Sequence, residues 1–146
     1  MTDDAVCEMP VANADDDEVR EILENNEVVA VVGLSPRPER DSHDVAHYLL
    51  DHGYEVVPVN PRADEILGRR SYPDLASIPF DVDIVDIFRK VEFIPEIVDA
   101  AIEKGARVVW MQRGLAHNAS ADKARAAGLS VVMSKCIKVE HQKLLG

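Results

Sequence analysis

The sequence predicts an α/β fold: a doubly wound, parallel, five-stranded sheet with helices on both faces. Three observations predict it. Short apolar runs rich in β-branched residues recur at 28–32, 55–59, 83–88, 107–111 and 129–133. Segments with helical spacing lie between most of them, which demands crossover connections rather than tight hairpins. Gly53, Gly105 and Gly128 stand just past the helical segments, where a left-handed residue ends a helix. The arrangement is Rossmann-like, with strand order 3-2-1-4-5 expected and ligands expected outside the carboxyl ends of the strands.

The elements follow in order. Residues 1–14 show no periodicity and read as an acidic, mobile leader, so the domain is placed at 15–146. Val19, Ile22 and Leu23 give a short amphipathic helix, with Asp15–Asp17 at its dipole-favoured start. The all-apolar run 28–32 fits a strand buried on both faces. A helix over 42–52 carries Val45, Ala46, Leu49 and Leu50 on one side. The second strand, 55–59, stops at Asn60-Pro61. Residues 63–67 read as a helical turn closed by Gly68, and 72–78 as a connecting turn or short helix. Strand 83–88, helix 93–104, strand 107–111, helix 119–127, strand 129–133 and a terminal helix 137–145 complete the chain.

Composition bounds the function. The 146 residues suit one core. No apolar run reaches the ~18 residues of a membrane span. MTDDAVCEMP lacks the basic and apolar regions of a secretory signal, so a cytoplasmic location is expected. The net charge of −11 is concentrated at the start: residues 1–27 hold ten acids and one base. That argues against nucleic-acid binding, which needs a basic face. Six Lys against ten Arg, in so acidic a chain, also fits a halophilic host. Cys7 and Cys136 are far apart, and neither a disulfide nor a metal site is expected of them.

The strand ends carry the chemistry. After the first strand comes Gly33-Leu34-Ser35-Pro36-Arg37-Pro38-Glu39-Arg40. Gly33 permits a sharp turn and close backbone approach. Ser35 can donate to a phosphate, Arg37 and Arg40 can pair with one, and the following helix start favours anions. The second strand ends in Asn60-Pro61-Arg62, with a base where an NAD site has an acid. A ligand with an extra phosphate fits better; NADP and coenzyme A both qualify. Phe88 reads either as a wall for an adenine or pantetheine or as core, with Arg89 beside it as a phosphate partner. Gln112 and Gly114 suit a ligand passing close to backbone, while Trp110 reads as core. Cys136 reads as a buried small hydrophobe or as a thiol of lowered pKa.

No GxGxxG, GxxxxGK[ST] or GxSxG occurs. His43 and His47 share a helix face without a third metal ligand. No nucleophile, base and oxyanion site assemble, so no catalytic residue is assigned.

The segments GLSPRPER, PVNPR, VDIVDIFRK, ARVVWMQRG and CIKVEH, in this order, resemble the small single-domain CoA-binding proteins of the YccU-like type. These look like the CoA-binding domain of the succinyl-CoA synthetase alpha subunit standing alone. The resemblance spans about residues 16–145 and implies coenzyme A or an acyl-CoA as ligand. It implies that Gly33, Ser35 and Arg40 meet the phosphates and that Asn60 and Pro61 line the adenosine side. Phe88 and Arg89 would flank the ligand, with Gln112 and Gly114 closing the site; Arg37 falls at a variable basic position. The synthetase's phosphohistidine and ATP-binding parts have no counterpart, so binding rather than ligase activity is expected. The rival readings are an NADP-dependent enzyme component, disulfide exchange with CoA at Cys136, and a protein-interaction module with a vestigial pocket. A homodimer or an unidentified protein partner is compatible with each.

Overall fold

The computed structural model describes residues 8–146. Cys7 and the first half of the expected leader, residues 1–7, lie outside the described residues. Residues 8–14 are hydrogen-bonded to the domain rather than free of it. Asn13 donates from Nδ2 to the Met133 carbonyl and accepts the Met133 N–H, at 2.8 and 2.9 Å. Asn118 donates to Glu8 Oε1 from its backbone, and Arg125 donates to the Ala12 carbonyl.

The chain runs α1 (Asp16–Asn25), β1 (Val28–Val32), α2 (Asp41–Asp51), β2 (Glu55–Val59), β3 (Glu65–Ile66) and β4 (Arg69–Arg70). It continues through a 3₁₀ turn (Leu75–Ser77), β5 (Ile84–Ile87), a second 3₁₀ turn (Val91–Phe93) and α3 (Ile94–Lys104). It ends with β6 (Val108–Met111), α4 (Asn118–Ala126), β7 (Ser130–Val132) and α5 (Ile137–Leu144). Asp15 caps α1 by accepting the Glu18 N–H, and Gly105 ends α3 in the left-handed conformation.

The expected five-stranded parallel sheet is present, in the order β2-β1-β5-β6-β7. Alternation along each strand feeds two cores. Val29, Val31, Ile84, Val108, Trp110 and Val132 pack under α1, α2 and α5. Ala30, Val32, Val85, Ile87, Val109 and Met111 pack under α3 and α4. No helix among the described residues is long and apolar enough to cross a membrane.

The expected order of the strands, 3-2-1-4-5, is corrected. The third strand of the sheet, β5, pairs with β1 and β6, giving 2-1-3-4-5. The reason lies at the outer edge of β2. Pro58 turns its carbonyl outward to accept the Tyr72 N–H at 3.0 Å. In a strand a residue's N–H and C=O point to the same side, so the donor that proline lacks is missing from that edge. Tyr72 occupies what remains, accepting the Asn60 N–H at 2.9 Å. A third strand cannot pair there, and the chain crosses to the far side of β1. The switch point of the topology is therefore the crevice between the ends of β1 and β5.

The expected helical turn at 63–67 is also corrected. β3 and β4 form an antiparallel hairpin whose two turn residues, Leu67 and Gly68, have φ of 55° and 73°. Positive φ at both positions is the turn that matches hairpin twist.

Candidate functional site

Gly33 follows β1 with φ 91°. Its N–H donates to the Val59 carbonyl at 2.9 Å, so it is not free to bind a ligand. What the position requires is the missing side chain. A Cβ there would stand 2.6 Å from the Phe88 carbonyl oxygen and 2.9 Å from Arg89 Cδ. Gly33 thus lets the first loop lie against the end of β5.

The rest of the loop is fixed by short-range hydrogen bonds. Ser35 donates its N–H to Ser42 Oγ at 3.0 Å, and its own Oγ accepts the Arg37 N–H at 3.1 Å. The Ser35 hydroxyl proton is left to turn outward. Leu34 is fully buried beneath α2, so its side chain belongs to the core. Its carbonyl accepts Asn60 Nδ2 at 2.9 Å, while Asn60 Oδ1 accepts the Arg62 N–H at 2.8 Å. Asn60 therefore spends both ends of its amide clamping the loops after β1 and β2 together.

The cations differ in how far they are committed. Arg37 pairs with Glu39 at 2.9 Å, and Lys138 with Asp44 at 2.7 Å, which holds the lysine in its charged form. Arg40 and Arg62 are exposed, and neither forms an ion pair among the described residues. The Arg89 guanidinium lies over the Phe93 ring, 4.3 Å from its centroid.

Among the described residues, two clefts open at the carboxyl edge of the sheet, and Arg89 lines both. The larger, of about 660 Å³, lies on the α2–α5 side. Phe88, Arg89, Gln112 and Cys136 line it, together with Val45 and Lys138. The smaller, of about 260 Å³, lies on the α3 side, between Pro61, Pro73, Leu75, Arg89, Phe93 and Ile97. Ser35, Arg37, Arg40, Arg62 and Gly114 stand outside both linings. Gly114 has φ 87° and donates to Ser134 Oγ at 3.2 Å, joining the loops after β6 and β7. Trp110 is buried, with Nε1 donating to the Lys135 carbonyl at 2.8 Å.

Beneath the larger cleft, Asp86 of β5 is fully buried. Gln112 Nε2 donates to its Oδ1, and Oδ2 has no partner among the described residues. Burial pushes the carboxyl up to about 7; the Gln112 hydrogen bond opposes this. Asp83, on the same strand run, is spent at the opposite edge, where Oδ2 accepts the N–H groups of Glu27 and Val28.

Sequence reasoning missed Pro73, Phe93, Lys138 and Val139 as cleft residues. The Pro73 and Phe93 positions depend on the crossover beneath the sheet. The other two depend on α5 packing against α2, and no local pattern reports that. His43 and His47 join no cluster of three metal-binding side chains among the described residues.

The family described as CoA binding domain matches residues 27–142. An uncharacterised protein of Bacillus subtilis, YneT, is 42% identical over 124 residues, which is 85% of this chain and 92% of that protein. A solved structure of a hypothetical protein from Pyrococcus horikoshii superposes with a TM-score of 0.89 at 45% identity, covering 95% of this chain and 98% of that one. The alpha subunit of an ADP-forming acetate–CoA ligase from Pyrococcus furiosus is 34% identical over 95 residues; the match takes in 61% of this chain and 21% of the subunit.

Proposed function

The chain belongs to the CoA-binding-domain family, and from that premise we propose that it binds coenzyme A, free or acylated, across the carboxyl edge of its sheet. One observation carries the reading. Two clefts at the carboxyl edge of the sheet meet at Arg89, and the loops after β1 and β2 bring Ser35 and the exposed Arg40 and Arg62, unpaired among the described residues, to the same edge, outside both linings. That arrangement suits a ligand with a diphosphate centre, a third phosphate and two bulky arms. Ser35 and Arg40 take the diphosphate by a charge-assisted donor set. Arg62 takes the ribose phosphate, beside Pro61 on the adenosine side. The larger cleft receives the pantetheine arm and, with it, the thiol end of the ligand. Gly33 and Asn60 act through the shape of the loops rather than by donating.

The reading is one of binding. A second reading, thiol exchange, draws on the place of Cys136 in the lining of that same cleft.

Arg40→Ala tests the phosphate assignment. The side chain is exposed, so the unfolding midpoint should hardly move. CoA affinity by titration calorimetry should fall by about tenfold or more. An unchanged affinity would remove Arg40 from the site.

A further inference from the structure

The Asp86–Gln112 pair is not needed to build the sheet, yet it sits directly under the larger cleft. Asp86 occupies an otherwise apolar row: Val31 and Trp110 flank it in register on β1 and β6. An apolar residue would fill the position without leaving a buried oxygen unpartnered. Its one hydrogen bond goes to Gln112, which lines the cleft and is itself 4% exposed. An ionised carboxylate only accepts, so the Gln112 amide has to turn its nitrogen toward Asp86. The amide oxygen is then the free end. It accepts no hydrogen bond among the described residues, and it is not sealed from solvent as Asp86 Oδ2 is.

We infer that Asp86 is a positioning residue: by holding Gln112 Nε2 it presents the Gln112 carbonyl oxygen to the cleft as an acceptor for an amide N–H of the ligand's pantetheine arm. This rests on the reading of the cleft as a CoA site. Pantetheine carries two secondary amides besides one hydroxyl and its terminal thiol, and an acceptor fixed at the cleft floor offers a partner to an amide N–H. A protonated Asp86 can instead donate to Gln112, which lets the amide reverse and offer its NH₂ group. The ionisable groups on the rim above are Asp41 and Asp44 of α2, Arg89, Arg113, Cys136 and Lys138. None of them accounts for the proton affinity of Asp86, which burial raises.

The test compares CoA with adenosine 3′,5′-bisphosphate, which keeps the 3′-phosphate and the first phosphate of the diphosphate and lacks the arm. Wild-type protein that binds neither ligand contradicts the underlying CoA reading; the variants judge the inference. Asp86→Leu should weaken CoA about tenfold and leave the bisphosphate within about twofold. Asp86→Asn, whose carbonyl still accepts from Gln112, should restore most of the CoA affinity. Equal losses for both ligands, or none for either, would overturn the inference. Should the leucine variant not fold, the pH profile decides. Taken relative to the same ratio in Asp86→Asn, which cancels the titration of the ligands' own phosphates, the ratio of CoA to bisphosphate affinity in wild type should rise between pH 6 and 8 as Asp86 ionises. Ratios that run parallel in the two proteins overturn the inference equally.

Discussion

Replacing Gly33 by alanine is expected to lower folding stability by about 3 kcal/mol or more and to abolish measurable CoA binding. Two separate penalties meet at this residue. Its φ of 91° is a conformation that side chains disfavour, and the new Cβ would collide with the Phe88 carbonyl at 2.6 Å. That oxygen is backbone at the end of a central strand, so it cannot swing aside as a flexible side chain would. Relief requires the loop to lift off β5, which moves Ser35 and Arg40 away from the crevice. Gly53→Ala is the control. Its φ is 92°, but a Cβ there meets nothing within 4 Å. Its cost should be the conformational part alone, on the order of 1 kcal/mol, with CoA binding retained. Denaturant midpoints and CoA titration of the two variants check this. Equal losses would show that backbone conformation, and not the contact with β5, fixes the glycine.

Asp86 should make the protein less stable as pH rises, and Asp86→Asn should remove the effect. The carboxyl has an ordinary value of 3.8 and is pushed up to about 7 in the fold. Between those values the unfolded chain has lost the proton and the folded chain keeps it. The folded state therefore binds more protons, and the unfolding free energy falls with increasing pH. The loss begins above the unfolded value and is complete above about 7, where a charge is held in an apolar row. Its size is on the order of a few kcal/mol at pH 8. Urea unfolding of wild type and Asp86→Asn from pH 5 to pH 8 measures it. The asparagine variant should gain on wild type from pH 5 up to about pH 7 and then level off; parallel profiles throughout would mean that water or a neighbour stabilises the buried charge.

The cost of burying such a group fits the positioning role inferred for it. The same reasoning separates what was legible in the sequence from what was not. The parallel sheet was legible because 28–32, 107–111 and 129–133 are β-branched runs flanked by helices stopped at glycine. The strand order was misread as 3-2-1-4-5, although Pro58 within Glu-Val-Val-Pro-Val marks an edge that lacks a donor. The β3–β4 hairpin was hidden because its turn places Leu67, an unusual residue for the task, at positive φ. Within the site, Gly33 was legible as a turn, but its steric partner Phe88 is far along the chain and is reached only through the β1–β5 register. The family resemblance implies that Asn60 lines the adenosine side of a ligand. The structure shows both ends of its amide engaged with Leu34 and Arg62. Asp86 is visible in the sequence as a charge within a strand run, but its pairing with Gln112 follows only from the β5–β6 register.

The most direct measurement of the central claim is native mass spectrometry of the purified protein with CoA, NADP or NAD, each with and without reductant. Selective retention of CoA is expected, as a complex that dissociates on denaturation. A CoA adduct that survives denaturation and disappears with reductant would move the chemistry to a cysteine, with Cys136→Ser as its check. Retention of NADP in preference to CoA, or of none of the three, would contradict the account.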